Sequence, residues 1–162
     1  MSIDSDNLNF YECLTWTEGL THGGDINLAN KIITDTFENI FDSVTDAQRI
    51  AGDTDYRKIY IRNDNVGADT DWLYVRCWIS QFTPSSDDEI YITAEGDNAD
   101  TEAEADDYVT WVQPDAIDHV DVLNLGNLVS LDYHHVWIKR VVGAASDKYP
   151  SNSFILGFRS AS

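Results

Sequence analysis

The chain has 162 residues, and its 29 acidic side chains against 10 basic ones give a formal charge of −19 and an isoelectric point near 4.1. Such a charge disfavours nucleic acid or an anionic membrane as a partner, because both would repel the chain. The hydrophobic share of 43% is enough for a sizeable core. We therefore expect a flexible N-terminal arm over residues 1–7 and a single domain over residues 8–162.

Side chains alternate with a period of two along most of the chain, which predicts short β-strands. In chain order the predicted strands are Leu8–Thr17, Ile26–Ile33, Phe37–Phe41, Asp53–Asn63, Trp72–Ser80, Glu89–Glu95, Tyr108–Gln113, Leu131–Val142 and Ser153–Arg159. The segment Thr36–Ile50 also has helical spacing, but we favour a strand followed by a loop at Thr45–Ala51. We expect Gly96–Asp107, which contains six carboxylates and no basic residue, to be a solvated loop.

The two strongest strand patterns are Asp53–Asn63 and Trp72–Ser80, and a polar turn connects them. We therefore expect them to be neighbouring antiparallel strands. The regular spacing of eight to ten short strands predicts an all-β fold, a two-sheet antiparallel sandwich of the Ig-like or jelly-roll kind. At most one short helical turn is expected.

No catalytic motif is present, so we expect no enzymatic activity and no catalytic residue. Cys13 and Cys77 lack a metal-ligand or CxxC spacing and are expected to be buried free thiols rather than a disulfide. Zinc is disfavoured, because the adjacent His134 and His135 point to opposite sides of a strand. Calcium is the one candidate ion, yet the loop departs from the EF-hand pattern and a solvated turn is favoured. Its oxygen ligands would be Asn63, Asp64, Asn65, Asp69 and Asp71.

Five tryptophans and eight tyrosines exceed what one small core needs, and aromatic residues are favoured at protein interfaces. We expect Trp78, Trp111 and Trp137 to fill the core. The residues predicted for a protein interface are Phe10, Tyr11, Trp16, Trp72 and Tyr149.

Four stretches of the chain match recurrent motifs, and the first two are residues 51–63, AGDTDYRKIYIRN, and residues 78–85, WISQFTPS. They are similar to a phrase AGDTEYR that opens a strand, and to a W-I-x-x-x-T-P-S turn, in uncharacterised structural proteins of tailed phages. Residues 135–142 and 149–156 are similar to their V-W-x-R-R and Y-N-N-D-S-F ending, although Pro150 and Ser151 replace the usual asparagines. The motifs are structural and transfer no catalytic residue.

The resemblance implies a non-enzymatic virion protein, either a capsid decoration (cement) protein or a neck or tail component. Its partners would be other virion proteins and copies of itself, as a homo-oligomer in the particle, with the host cytoplasm as its location before assembly. A second hypothesis is a calcium-assisted carbohydrate-binding module, in which Trp16 and Trp72 stack on sugars while Asp64, Asp69 and Asp71 hold the ion. A third is a small hydrolase with a carboxylate pair.

Overall fold

The computed structural model describes residues 7–33, 40–66, 71–147 and 153–160. These residues form two antiparallel sheets and two short helices. The strands are β1 (Leu8–Thr15), β2 (Gly23–Lys31), β3 (Asp53–Asn63), β4 (Trp72–Gln81), β5 (Asp88–Thr93), β6 (Leu123–Leu128), β7 (Tyr133–Val142) and β8 (Ile155–Arg159). The helices are α1 (Asp46–Ala51) and α2 (Glu102–Ala105). The predicted all-β sandwich of eight to ten strands is confirmed, whereas the limit of one helical turn is wrong.

The five-stranded sheet has the order β2-β1-β3-β7-β5, and the three-stranded sheet has the order β6-β4-β8. Their facing sides enclose the main core, because each strand turns one row of apolar side chains inward. The buried members of this core include Ile59, Ile61, Val75, Cys77, Ile79, Ile90, Ile92, Leu125, Leu128, Val136 and Ile138.

The prediction that Asp53–Asn63 and Trp72–Ser80 pair with each other is wrong. β3 pairs with β1 and β7, while β4 pairs with β6 and β8, so the two strands lie in different sheets. The physical reason is that each of them is flanked on both sides by other strands. The chain between them therefore crosses from one sheet to the other instead of forming a hairpin.

A β-bulge near the start of β4 changes which side chains point inward. Tyr74 has a φ of +51°, and the pairing with β6 is irregular between Trp72 and Val75. Both Trp72 and Val75 are buried as a result, whereas Leu73 and Tyr74 are exposed. Strict alternation along this strand predicts an inward row of Leu73, Val75, Cys77 and Ile79. The bulge removes Leu73 from that row, which therefore begins at Val75.

The residues predicted as a loop at Thr45–Ala51 form helix α1. Thr45 caps it, because its hydroxyl accepts a hydrogen bond from the Gln48 N–H while the Gln48 side chain accepts one from the Thr45 N–H. The helix ends at Gly52, whose φ is +80°. Of the predicted strand Phe37–Phe41, residues 37–39 lie outside the described part, and Ile40 and Phe41 form a bend.

Residues 96–111, here called the acidic segment, cover the outer face of the five-stranded sheet. The predicted solvated loop is wrong for Glu102 and Ala105, because α2 buries both of them against the sheet. Ala105 packs with Tyr56 and Trp137, which point away from the main core. The five-stranded sheet is therefore covered on both faces, which accounts for the buried residues on both sides of β3.

The predicted strand Tyr108–Gln113 is reduced to a single bridge between Ile92 and Val112. The carboxylate of Glu95 accepts hydrogen bonds from the N–H groups of Val109 and Thr110, which are therefore not available to a strand ladder. At Val109 and Thr110 a side-chain contact therefore replaces regular strand pairing.

Candidate functional site

The outer face of the three-stranded sheet carries an exposed patch that is basic and apolar, which we call the basic face. It consists of Arg76 and Trp78 on β4 and of Ile155, Gly157 and Arg159 on β8. These residues alternate with the inward-facing Cys77, Ile79, Leu156 and Phe158, which pack in the core. The period of two therefore places all five on the side that faces away from the other sheet.

Trp78 lies directly over Gly157, its partner in the register of β4 and β8. A Cβ atom at position 157 would lie 2.4 Å from Cε2 of the Trp78 indole, so only glycine leaves room for this ring. Beside this pair Ile155 is 51% exposed. The sheet thus presents the half-buried Trp78 indole and the exposed Ile155 next to its two arginines.

Arg76 and Arg159 are also register partners, one on each strand. Arg76 comes no closer than 4.0 Å to the carboxylate of Asp118, whose side chain is 93% exposed. Arg159 is exposed, and its guanidinium group has no hydrogen bond or ion pair with any of the described residues. By contrast, Arg57 and Arg140 are buried in contacts with Glu18 and Asp55.

The opposite side of the sandwich carries a surface of the contrary charge, formed by the acidic segment and called the acidic surface here. Its exposed carboxylates are those of Asp97, Glu104, Asp106 and Asp107. The apolar side chain of Val109 stands among them and is 85% exposed. Since this segment packs on the outer face of the five-stranded sheet, the whole sandwich separates the acidic surface from the basic face.

Backbone contacts fix the acidic segment in place. Gly24 N–H donates to the Asp100 carbonyl at 2.9 Å, and the Lys58 ammonium donates to the carbonyls of Asp97 and Asp100 at 2.7 and 3.2 Å. Gly23 allows this approach, because a Cβ there would lie 2.5 Å from the Asp100 oxygen. The carboxylates are consequently presented on a supported backbone.

The residues predicted for a protein interface have different environments. Tyr11 and Trp72 are buried, and Phe10 and Trp16 are half-buried with their rings packed against the core clusters. Tyr149 lies outside the described residues. Trp16 and Trp72 thus do not form the exposed stacking platform that the carbohydrate hypothesis requires. None of the five coincides with the basic face, and their interface role stays a prediction.

The oxygens proposed for calcium make contacts within the protein. Asn63 Oδ1 accepts from the backbone and side-chain nitrogens of Asn65 at 3.1 and 2.8 Å. Asp64 accepts a hydrogen bond from Tyr11 at 2.6 Å and pairs with Arg62. Asp71 accepts from the Ser130 N–H, while Asp69 lies outside the described residues. Among described side chains no cluster of three or more His, Cys, Asp or Glu is arranged to hold a metal ion.

Cys13 has a neighbour that the sequence did not reveal, since Nε2 of the buried His22 lies 3.6 Å from its sulfur. This nitrogen accepts the Lys58 N–H at 2.8 Å, and Nδ1 lies 3.1 Å from the Thr17 carbonyl. Burial raises the pKa of Cys13 to about 11 and lowers the pKa of His22 to about 4. The pair is therefore a neutral structural contact rather than a reactive thiolate with a base. Both cysteines are buried and free, as predicted.

An open groove of about 450 Å³ lies beside β5 and β6, and Glu95 and Asp121 contribute to its lining. Hydrogen bonds from Thr110 lower the pKa of Glu95. Glu102 is the carboxyl whose pKa burial raises, and it is not among the residues that line this groove.

Comparison with protein-family models, with curated protein sequences and with solved structures found no match to the chain. Within the described residues no helix has both the length and the apolar character needed to cross a bilayer.

Proposed function

We propose that this chain is a non-enzymatic structural protein of a tailed virus particle and that it acts by protein–protein assembly. It would serve as a capsid decoration protein or as a component of the neck or tail. Its partners would be neighbouring virion proteins and further copies of the chain, which it meets after synthesis in the host cytoplasm.

The basic face is the observation that carries the assembly part of this proposal. Arginine and tryptophan are the side chains most enriched among residues that dominate binding energy at protein interfaces. Here they lie together on the outer face of one sheet with an exposed isoleucine, in a chain whose net charge is −19. A patch so different from the rest of the surface is typical of an interaction site.

The resemblance of residues 51–63, 78–85, 135–142 and 149–156 to tailed-phage structural proteins supports the virion part. Those stretches include all of β3 and most of β7, together with the end of β4 that carries Trp78 and the start of β8 that carries Ile155. The similarity therefore covers the adjacent strands β3 and β7 more fully than the basic face.

The test uses a culture infected by a virus whose genome encodes this sequence. Virus particles are purified from it by banding in a density gradient, and their proteins are identified by mass spectrometry. The expected result is that peptides of the chain band with the major capsid and tail proteins, in many copies per particle. Recovery of the chain only from the soluble lysate, with none in the particle band, would contradict the virion function.

A further inference from the structure

We infer that the basic face docks on the acidic surface of a second copy of this chain, in a head-to-tail contact. This inference rests on the proposed assembly function and identifies the partner and the two surfaces that meet. In the contact Arg76 and Arg159 of one protomer would face the exposed carboxylates around Asp107 of the next.

The first step of the argument is the charge on the basic face. Like charges directly opposite on neighbouring strands are destabilising, and Arg76 and Arg159 are such a pair. No buried carboxylate among the described residues relieves this repulsion, because Asp118, the one acidic partner, is exposed at 4.0 Å. An anionic surface placed over the two guanidinium groups would stabilise them.

The second step is that the chain itself offers that anionic surface. Asp97, Glu104, Asp106 and Asp107 are exposed on the acidic segment, with the apolar Val109 among them. The basic face likewise combines charge with apolar area in Trp78 and Ile155. Each surface therefore provides both components of an interface, with complementary charge.

The third step is geometric. The two surfaces lie on opposite sides of one sandwich, so a protomer cannot bring its own basic face to its own acidic surface. A contact between unlike surfaces is heterologous, and it generates a ring when the rotation closes and a filament when it does not. Either product is a repeating array of the kind that a virus particle uses.

Two variants test this contact, because each removes one surface and leaves the other intact. The basic-face variant carries Arg76→Gln and Arg159→Gln. The acidic-surface variant carries Ala103→Lys and Asp107→Lys, exposed positions whose side chains anchor none of the described contacts. A control with Ala29→Glu and Ala144→Glu has the same net charge as the basic-face variant but changes neither surface.

Sedimentation velocity at 0.15 M salt compares the mass of each variant alone with that of an equimolar mixture. We expect each variant alone to lose self-association at least about tenfold, as expected when central interface side chains are lost. The mixture should form a one-to-one complex of two protomers and nothing larger, because only one matching pair of surfaces remains. The control should assemble like the unmodified chain, and far-ultraviolet circular dichroism verifies that all variants fold.

Variants that assemble alone as strongly as the unmodified chain would overturn the inference, as would a mixture that stays monomeric. The basic-face variant could instead have the same mass in solution as the unmodified chain and yet be lost from virus particles. In that case the partner of the basic face is another virion protein. The second-copy inference then fails, while the proposed function stands. Absence of the unmodified chain from particles would instead contradict the function itself.

Discussion

Arg76 and Arg159 lie directly opposite each other on β4 and β8, and both point away from the core. The chain has only 10 basic side chains against 29 acidic ones, so this pairing of two cations on one sheet face is unexpected on charge grounds. Other arginines, such as Arg62 and Arg140, are placed against carboxylates. We therefore expect that a neutral residue at one of these positions would make the isolated protomer more stable.

Arg159→Gln is expected to stabilise the isolated protomer while it weakens self-association. Removing one member of a like-charge cross-strand pair should raise the free energy of unfolding by about 0.2–1 kcal/mol. Urea denaturation at a protein concentration low enough to keep the chain monomeric measures this change. Arg62→Gln is the matched control, because it removes an ion pair with Asp64 and should lower the free energy of unfolding. Equal destabilisation by both substitutions would contradict the charge-repulsion argument.

Gly157→Ala should destabilise the fold, because the new methyl group would collide with the indole of Trp78. An overpacked contact of this kind costs about 1–3 kcal/mol in the free energy of unfolding. The double variant Gly157→Ala/Trp78→Ala provides the control, since without the indole the methyl group has room. If the alanine at position 157 is equally costly in both backgrounds, the contact with Trp78 is not the cause.

His22 should make the protein sensitive to mild acid. Burial holds the pKa of His22 at about 4, below its ordinary value of 6.5. As the pH falls from 7 to 5, the unfolded chain binds a proton at this position while the folded chain does not, so folding stability decreases. The free energy of unfolding of the unmodified chain, minus that of His22→Gln, should decrease by about 1–2 kcal/mol between pH 7 and pH 5. A difference that is independent of pH would contradict the buried neutral imidazole.

Lys58 should have the corresponding effect at alkaline pH. Burial lowers its pKa from 10.5 to about 8, so between these values the unfolded chain binds more protons and stability rises with pH. The unmodified chain should therefore gain stability relative to Lys58→Met between pH 8 and 10. At pH 7 the same variant should speed amide hydrogen exchange in residues 97–101, because Lys58 binds the carbonyls of Asp97 and Asp100. Unchanged exchange there would show that Lys58 does not anchor the acidic segment.

The fold class could be predicted well from the sequence, because an all-β fold depends on a local pattern that every strand repeats. Alternation of apolar and polar side chains located seven of the eight strands, β3 and β4 most closely. The alternation did not determine which strands are neighbours. The patterns of β3 and β4 are strong, but they fit a single hairpin and two separate sheets equally well. The bulge at Tyr74 was missed for a related reason, because one positive φ shifts the alternation without altering the residue pattern.

The candidate site was largely invisible in the sequence. The cross-strand position of Arg76 and Arg159 depends on a register between residues 83 positions apart, which no local pattern encodes. The predicted interface aromatics Tyr11 and Trp72 are instead buried, because the second side of the five-stranded sheet and the bulge in β4 provide room for them. The helix α2 was missed because the six carboxylates of residues 96–107 indicated a solvated loop.

Assembly of the purified chain is the claim on which this account depends, and its mass in solution tests it most directly. Light scattering at increasing protein concentration, with and without EDTA, should give a mass above the 18.3 kDa of one chain at 0.15 M salt, and EDTA should not change it. The mass should fall at about 0.01 M salt, where the net charges repel over roughly 30 Å, and again at about 1 M, where the contact ion pairs are screened. A mass of one chain at every salt and protein concentration would contradict assembly through complementary faces.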